Sequence, residues 1–128
     1  MFRRFARDAA ELDAVRVVAS EQVRWPLVHS EDLATLYALA LERAPARSSY
    51  IGAAIDGLAV GRIARAFAER HASRLERRII SVDAIAAELG DWARGYALDQ
   101  RLSGAKARWE LGWVPKHLDP EGEIAELP

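Results

Sequence analysis

The sequence predicts a mixed α/β chain in which helices alternate with short strands. Three observations carry that expectation. Apolar residues recur at helical spacing in several segments, short β-branched runs stand between them, and Gly, Pro, Ser or Asp mark most of the junctions. The 128 residues suit one domain by length, and with 51% of them hydrophobic the chain can bury a real core.

Phe2, Phe5, Ala6, Ala9 and Leu12 fall on one helical face and predict an amphipathic first helix. Val15, Val17 and Val18 read as a strand. A second extended piece ends at Leu27 and Val28, because Pro26 holds the residue before it extended. Ser30 is then a natural N-cap, and Glu31 and Asp32 place negative charge at the positive end of a helix dipole. That helix presents Leu33, Leu36, Tyr37, Ala40, Leu41 and Ala44 on one face and stops at Pro45. Tyr50, Ile51, Ala53 and Ile55 form a further strand-like run, closed by an Asp56-Gly57 turn.

Val60, Ile63, Ala64, Phe67 and His71 mark a third helix, weakened by Gly61. Ile79, Ile80 and Val82 read as a strand, after which Asp83 caps a short helix through Leu89. Ser103 caps a helix carrying Ala105, Trp109 and Leu111, with Gly112 just past its end. Trp109 and Trp113 are expected as packing anchors. Residues 1–117 are thus one folded region, and the acidic, Pro-bounded 118–128 segment is expected to be partly loose.

Composition narrows the function. A net charge of −1 argues against a nucleic-acid binder, which normally shows a basic excess. The absence of Cys excludes disulfides, thiolate nucleophiles and Cys-based zinc sites. Residues 1–13 are charged throughout, unlike a signal peptide, and no apolar run reaches the roughly 18 residues of a membrane span. The expectation is a cytoplasmic chain that is not bound to a membrane.

Two stretches go further. In RWPLVHSEDLATLYALALERAP, Trp25, Pro26, Val28, His29, Asp32, Leu33, Ala34, Tyr37, Ala40, Leu41 and Glu42 match the pattern W-P-x-V-H-x-D-D-L-A-x-x-Y-x-x-A-L-E. In SGAKARWELGWVP, Ser103, Lys106, Ala107, Glu110, Leu111, Gly112, Trp113 and Pro115 match a Ser followed by K-A-x-x-E-L-G-W-x-P. Together they resemble the NAD(P)-dependent epimerase/dehydratase family of extended short-chain dehydrogenases/reductases. The resemblance spans Val15 to His117. It implies the family's C-terminal portion: the last Rossmann-like sheet elements plus a small α/β substrate lobe, in enzymes that transfer hydride between nicotinamide and a sugar nucleotide or other hydroxyl/carbonyl substrate.

The family's Gly-x-x-Gly-x-x-Gly cofactor fingerprint is missing, and so is its Tyr-x-x-x-Lys. Tyr37, Tyr50 and Tyr96 are followed four positions on by Leu41, Ala54 and Gln100. No catalytic, cofactor-binding or metal-binding residue is therefore assigned, no cofactor is expected on this chain alone, and NAD(P) is implied only for the full-length family. Whether the chain belongs to an enzyme stays open, the alternative being a stand-alone small-molecule-binding or protein-interaction module derived from the fold. Expected partners are a Rossmann-half protein or a second copy, and a small-molecule substrate.

Arg24, Trp25 and His29 are the candidate substrate-binding residues. Arg24 offers a planar fork suited to phosphate or carboxylate, or equally to a surface ion pair. His29 could meet a substrate at a strand end or simply order the joint between strand and helix. Asp32 reads as a helix-start acid. Ser103 and Lys106 read as a cap rather than a phosphate loop. His71 and His117 have no metal-binding partner at short sequence spacing.

Overall fold

The computed structural model describes residues 2–70 and 75–127; the His71 expectation lies outside them. The architecture is mixed α/β, with two separate two-stranded sheets among the described residues. No helix among the described residues is long and apolar enough to cross a membrane. The chain divides into two units, one formed by Met1–Arg24, Ala59–Asp99 and Asp119–Pro128, the other by Trp25–Leu58 and Gln100–Leu118. Length alone predicts one domain. The chain path instead leaves the first unit after Arg24 and returns to it at Ala59.

In the first unit, helix α1 (Phe2–Leu12) leads into strand β1 (Ala14–Val18), as the apolar spacing predicts. Helix α3 (Val60–Arg70), strand β4 (Glu76–Ile80) and helix α4 (Val82–Leu89) follow later in the chain. β1 and β4 run parallel, with Ala14 opposite Glu76 and Val18 opposite Ile80. The near-continuous Val run of β1 suits burial on both faces, the usual state of a parallel strand. Phe5 and Phe67 meet at 5.8 Å between ring centroids and join α1 to α3. A second cluster gathers Val18, Ile85 and Ala93, the last from a 3₁₀ helix at Asp91–Ala97.

Charge is buried here as well. Asp8, 1% exposed, accepts hydrogen bonds from Arg4 Nη1 at 3.1 Å and from Arg16 Nη2 at 2.8 Å. Arg16 also reaches Glu88 Oε2 at 2.6 Å. Pairing compensates the cost of burying the Asp8 carboxylate.

The C-terminal segment departs from the loose tail expected of it. Pro120–Ala125 forms helix α6, capped by Asp119, whose carboxylate accepts the Gly122 amide, and Pro120 suits a first helical turn. Ile124 is 2% exposed in the contact between α6 and α3, so apolar burial orders what its acidic composition disguises. Asp83 does not cap α4. Ser81 accepts from the Ala84 amide instead, and Asp83 pairs with Arg94.

In the second unit, β2 (Arg24–Leu27) pairs with β3 (Ile55–Ala59), with helices α2 (Ser30–Arg43) and α5 (Ala105–Leu111) beside them. The strand expected over Tyr50–Ile55 begins only at Ile55, and Asp56-Gly57 lies within β3 rather than in a turn. The Ala54 amide donates to the Leu27 carbonyl and the Leu102 amide to the Asp56 carbonyl, which holds this segment extended. Leu36, Ala54, Ala107, Leu111 and Trp113 form the core. Trp113 is the expected anchor at 1% exposure, but Trp109 is 91% exposed and anchors nothing. α5 is short, and its face toward the core is set by Ala107 and Leu111, which turns Trp109 outward.

Candidate functional site

The site is built at the first turn of α2. Pro26 and the extended backbone of β2 deliver the chain to His29, which is the N-cap in place of the expected Ser30. Its backbone is extended (φ −71°, ψ 147°), and its Nδ1 accepts the Glu31 amide at 3.3 Å. The imidazole thus occupies the position where a Ser or Asp oxygen normally receives an orphan helix donor.

Asp32, in the first turn of α2, reaches the segment after α5. Its Oδ1 accepts the Lys116 amide and its Oδ2 the His117 amide, each at 2.9 Å. Trp113 Nε1 donates to the Asp32 carbonyl, also at 2.9 Å. Asp32 is therefore a helix-start acid, as expected, and also a clamp between segments 85 positions apart. Burial is the largest single influence on its carboxyl and favours the neutral form. The two amides and the His117 ring together outweigh it and hold the group below the usual carboxylate range.

The clamp brings the His117 ring against the helix start. Its centroid lies 3.9 Å from that of His29 with 25° between the planes, a stacked pair. His117 Nε2 lies 3.6 Å from Glu31 Oε2. Nδ1 is 3.3 Å from Asp32 Oδ2 but out of line for a hydrogen bond, and it is buried. The contact is electrostatic. Two imidazoles and two carboxylates thus converge, an array suited to holding a proton or a cation.

A separate hollow opens along α2. Leu33, Leu36, Tyr37, Ala40, Tyr50 and Gly52 line a cavity of about 300 Å³, the scale of a small-ligand site. It is mainly apolar, and Tyr50 brings a hydroxyl that donates to Glu110 at 2.9 Å.

The residues singled out from the sequence fall in different places. Arg24 engages Asp99 through Nη2 to Oδ2 at 2.6 Å and Nε to Oδ1 at 2.9 Å, so its fork already holds a carboxylate. Trp25 is 3% exposed and offers no open face to a ligand. His29 is both helix cap and cluster member. Ser103 does not cap α5, a role taken by Gly104, although its Oγ accepts the Ala105 amide at 3.2 Å. Lys106 Nζ donates to the Ser49 carbonyl at 3.2 Å. Sequence reasoning missed His117 as a partner of His29, Glu31 and Asp32. The signal was its place two residues after Pro115, where the second motif ends.

Fold and site together define a mixed α/β chain whose second unit carries a His/carboxylate cluster and a small apolar cavity. No protein-family profile matches the chain, and no solved structure matches it. A Schizosaccharomyces pombe protein described as uncharacterized is 34% identical to it over 95 residues, covering 73% of this chain and 31% of that protein. The chain therefore spans about a third of the length of the relative it matches.

Proposed function

We propose that this chain is the substrate-binding C-terminal part of an NAD(P)-dependent epimerase/dehydratase-type oxidoreductase, inactive unless joined by a cofactor-binding half. The observation that carries the reading is the β1/β4 pair. Among the described strands these two pair only with each other, yet they run parallel. Parallel sheets are normally larger and covered on both faces. Here the strand β4 is largely exposed, and Ile79 is 55% exposed. Such a pair fits a larger parallel sheet whose other strands another segment or chain would supply.

Two further facts support it. The stretches on which the family resemblance rests are joined in one unit by the Asp32 clamp and the Trp113 indole. The S. pombe relative is also about three times as long as the matched region, which leaves room for another half. In the intact enzyme, nicotinamide would supply hydride chemistry. This chain's part is to receive a sugar nucleotide or other hydroxyl/carbonyl substrate against Leu33, Tyr37 and Tyr50 and to keep water from it. Proton transfer falls to the missing half, because no Tyr-x-x-x-Lys stands in this sequence. A cytoplasmic location goes with this reading.

Calorimetry with NADH and NADPH tests the assignment of roles. The purified chain is expected to bind neither, since its sequence lacks the Gly-x-x-Gly-x-x-Gly that cradles a pyrophosphate. Saturable micromolar binding to either would overturn it. The cavity along α2 also favours a second reading, a stand-alone small-molecule-binding or protein-interaction module.

A further inference from the structure

The start of α2 gathers more metal-ligating groups than helix capping needs. Glu31 and Asp32 both lie in the first turn, and among the described residues neither forms an ion pair with an Arg or Lys. Beside them stands His117, which faces Asp32 through one ring nitrogen and Glu31 through the other. A neutral imidazole has one nitrogen lone pair free to bind a cation.

We propose that His29, Glu31 and His117 bind a divalent first-row transition ion, Zn²⁺ by preference. Each offers one ligand atom, and these atoms all lie within 4.8 Å of one another. Tetrahedral zinc with bonds of about 2.0–2.1 Å sets its ligand atoms about 3.4 Å apart. Closure by up to about 1.4 Å is needed, and the Glu31 side chain, 77% exposed, is free to swing inward. Two imidazoles and one carboxylate suit Zn²⁺ over Mg²⁺ or Ca²⁺, which take oxygen ligands, and they leave a position open for water or a ligand. Asp32 is the outer partner, beside His117 and fixed by two backbone amides, as carboxylates commonly stand behind metal-bound imidazoles.

Two costs oppose binding, and both are local. The positive end of α2 disfavours a cation, but the Glu31 and Asp32 carboxylates lie in that same turn. His29 uses Nδ1 to accept the Glu31 amide, which leaves its ring proton on Nε2. A metal at Nε2 displaces that proton; the neutral ring then carries its proton on Nδ1 and releases the amide. The contact given up is a long one, at 3.3 Å. The 25° tilt between the stacked rings must also widen for both lone pairs to meet one ion.

The proposal stands apart from the oxidoreductase reading, and its test requires neither cofactor nor substrate. The untagged, chelator-treated chain is titrated with Zn²⁺ and with Mg²⁺ by calorimetry, and Co²⁺ is followed by its visible absorption. Expected are one saturable micromolar Zn²⁺ site, no Mg²⁺ binding, and an intense Co²⁺ band of the four- or five-coordinate kind. Glu31→Gln, exposed and outside the Asp32 clamp, should weaken Zn²⁺ at least tenfold while melting like the parent in chelator. His117→Ala should do the same if it folds. Absence of saturable Zn²⁺ binding, or a site unchanged in Glu31→Gln, would overturn the proposal.

Discussion

At Asp32 a single carboxylate replaces what a loop would otherwise need several side chains to achieve. It satisfies the Lys116 and His117 amides with its own two oxygens while 4% exposed. Such charge-assisted bonds are short and strong, and removing the acceptor strands two donors. Asp32→Ala is expected to cost about 3 kcal/mol, and Asp32→Asn less, because the amide keeps one acceptor oxygen. Urea unfolding measures both; a loss within about 0.5 kcal/mol for the Ala variant would mean the clamp is not holding the segment. Gly104 shows the same dependence on close approach. A Cβ there would lie 2.3 Å from the Ala53 carbonyl oxygen, so α5 can meet the β3 lead-in only with glycine at that position.

Among the elements, the joint between β1 and α4 turns on Arg16. Its guanidinium bridges Asp8 and Glu88, and the Arg16 hydrogen bond holds the Glu88 carboxyl below its ordinary value against the opposing pull of burial. A carboxyl lowered in the folded state contributes stability above its unfolded value of about 4.3, lost as pH falls through the folded value. Comparing the parent with Glu88→Gln by thermal melting from about pH 7 to about pH 3 reads this directly. The parent should be the more stable near neutrality, and the gap should close toward acid. A gap that is constant with pH would remove the ion pair from the account. The effect is modest, since Glu88 is 41% exposed and solvent screens it.

For the molecule as a whole, the outstanding physical feature is uncovered apolar and strand surface. Tyr37 is 67% and Leu41 90% exposed on α2, and Ile79 is 55% exposed on β4. Open strand edges and apolar patches favour association with another chain. Multi-angle light scattering is therefore expected to give a mass above the 14.2 kDa of one chain, rising with concentration. A monodisperse monomer at high concentration would favour the stand-alone module over a part that needs a second half.

Local patterning was enough for most of the elements. The spacing of Phe2, Phe5 and Ala9 specifies α1, and Leu33 to Leu41 specify α2, because a helix places every third or fourth residue on one face. The Val run of β1 and Ile79-Ile80 of β4 are equally local, and so is Gly112 ending α5 in the left-handed region, at φ 69°. Capping was less legible. Ser30, Asp83 and Ser103 are good caps by type, yet His29, Ser81 and Gly104 take those places, because a cap depends on where the preceding backbone turns. Only the tertiary structure decided which Trp is buried, that an acidic tail becomes α6, and that His117 stands against His29. Residues 85 positions apart carry no shared periodicity, so no local pattern marks the Asp32–His117 contact, and only the place of His117 just after the second motif hinted at it. It exists because the core formed by Leu36, Leu111 and Trp113 fixes α2 and α5 together and leaves the chain after Pro115 beside the start of α2.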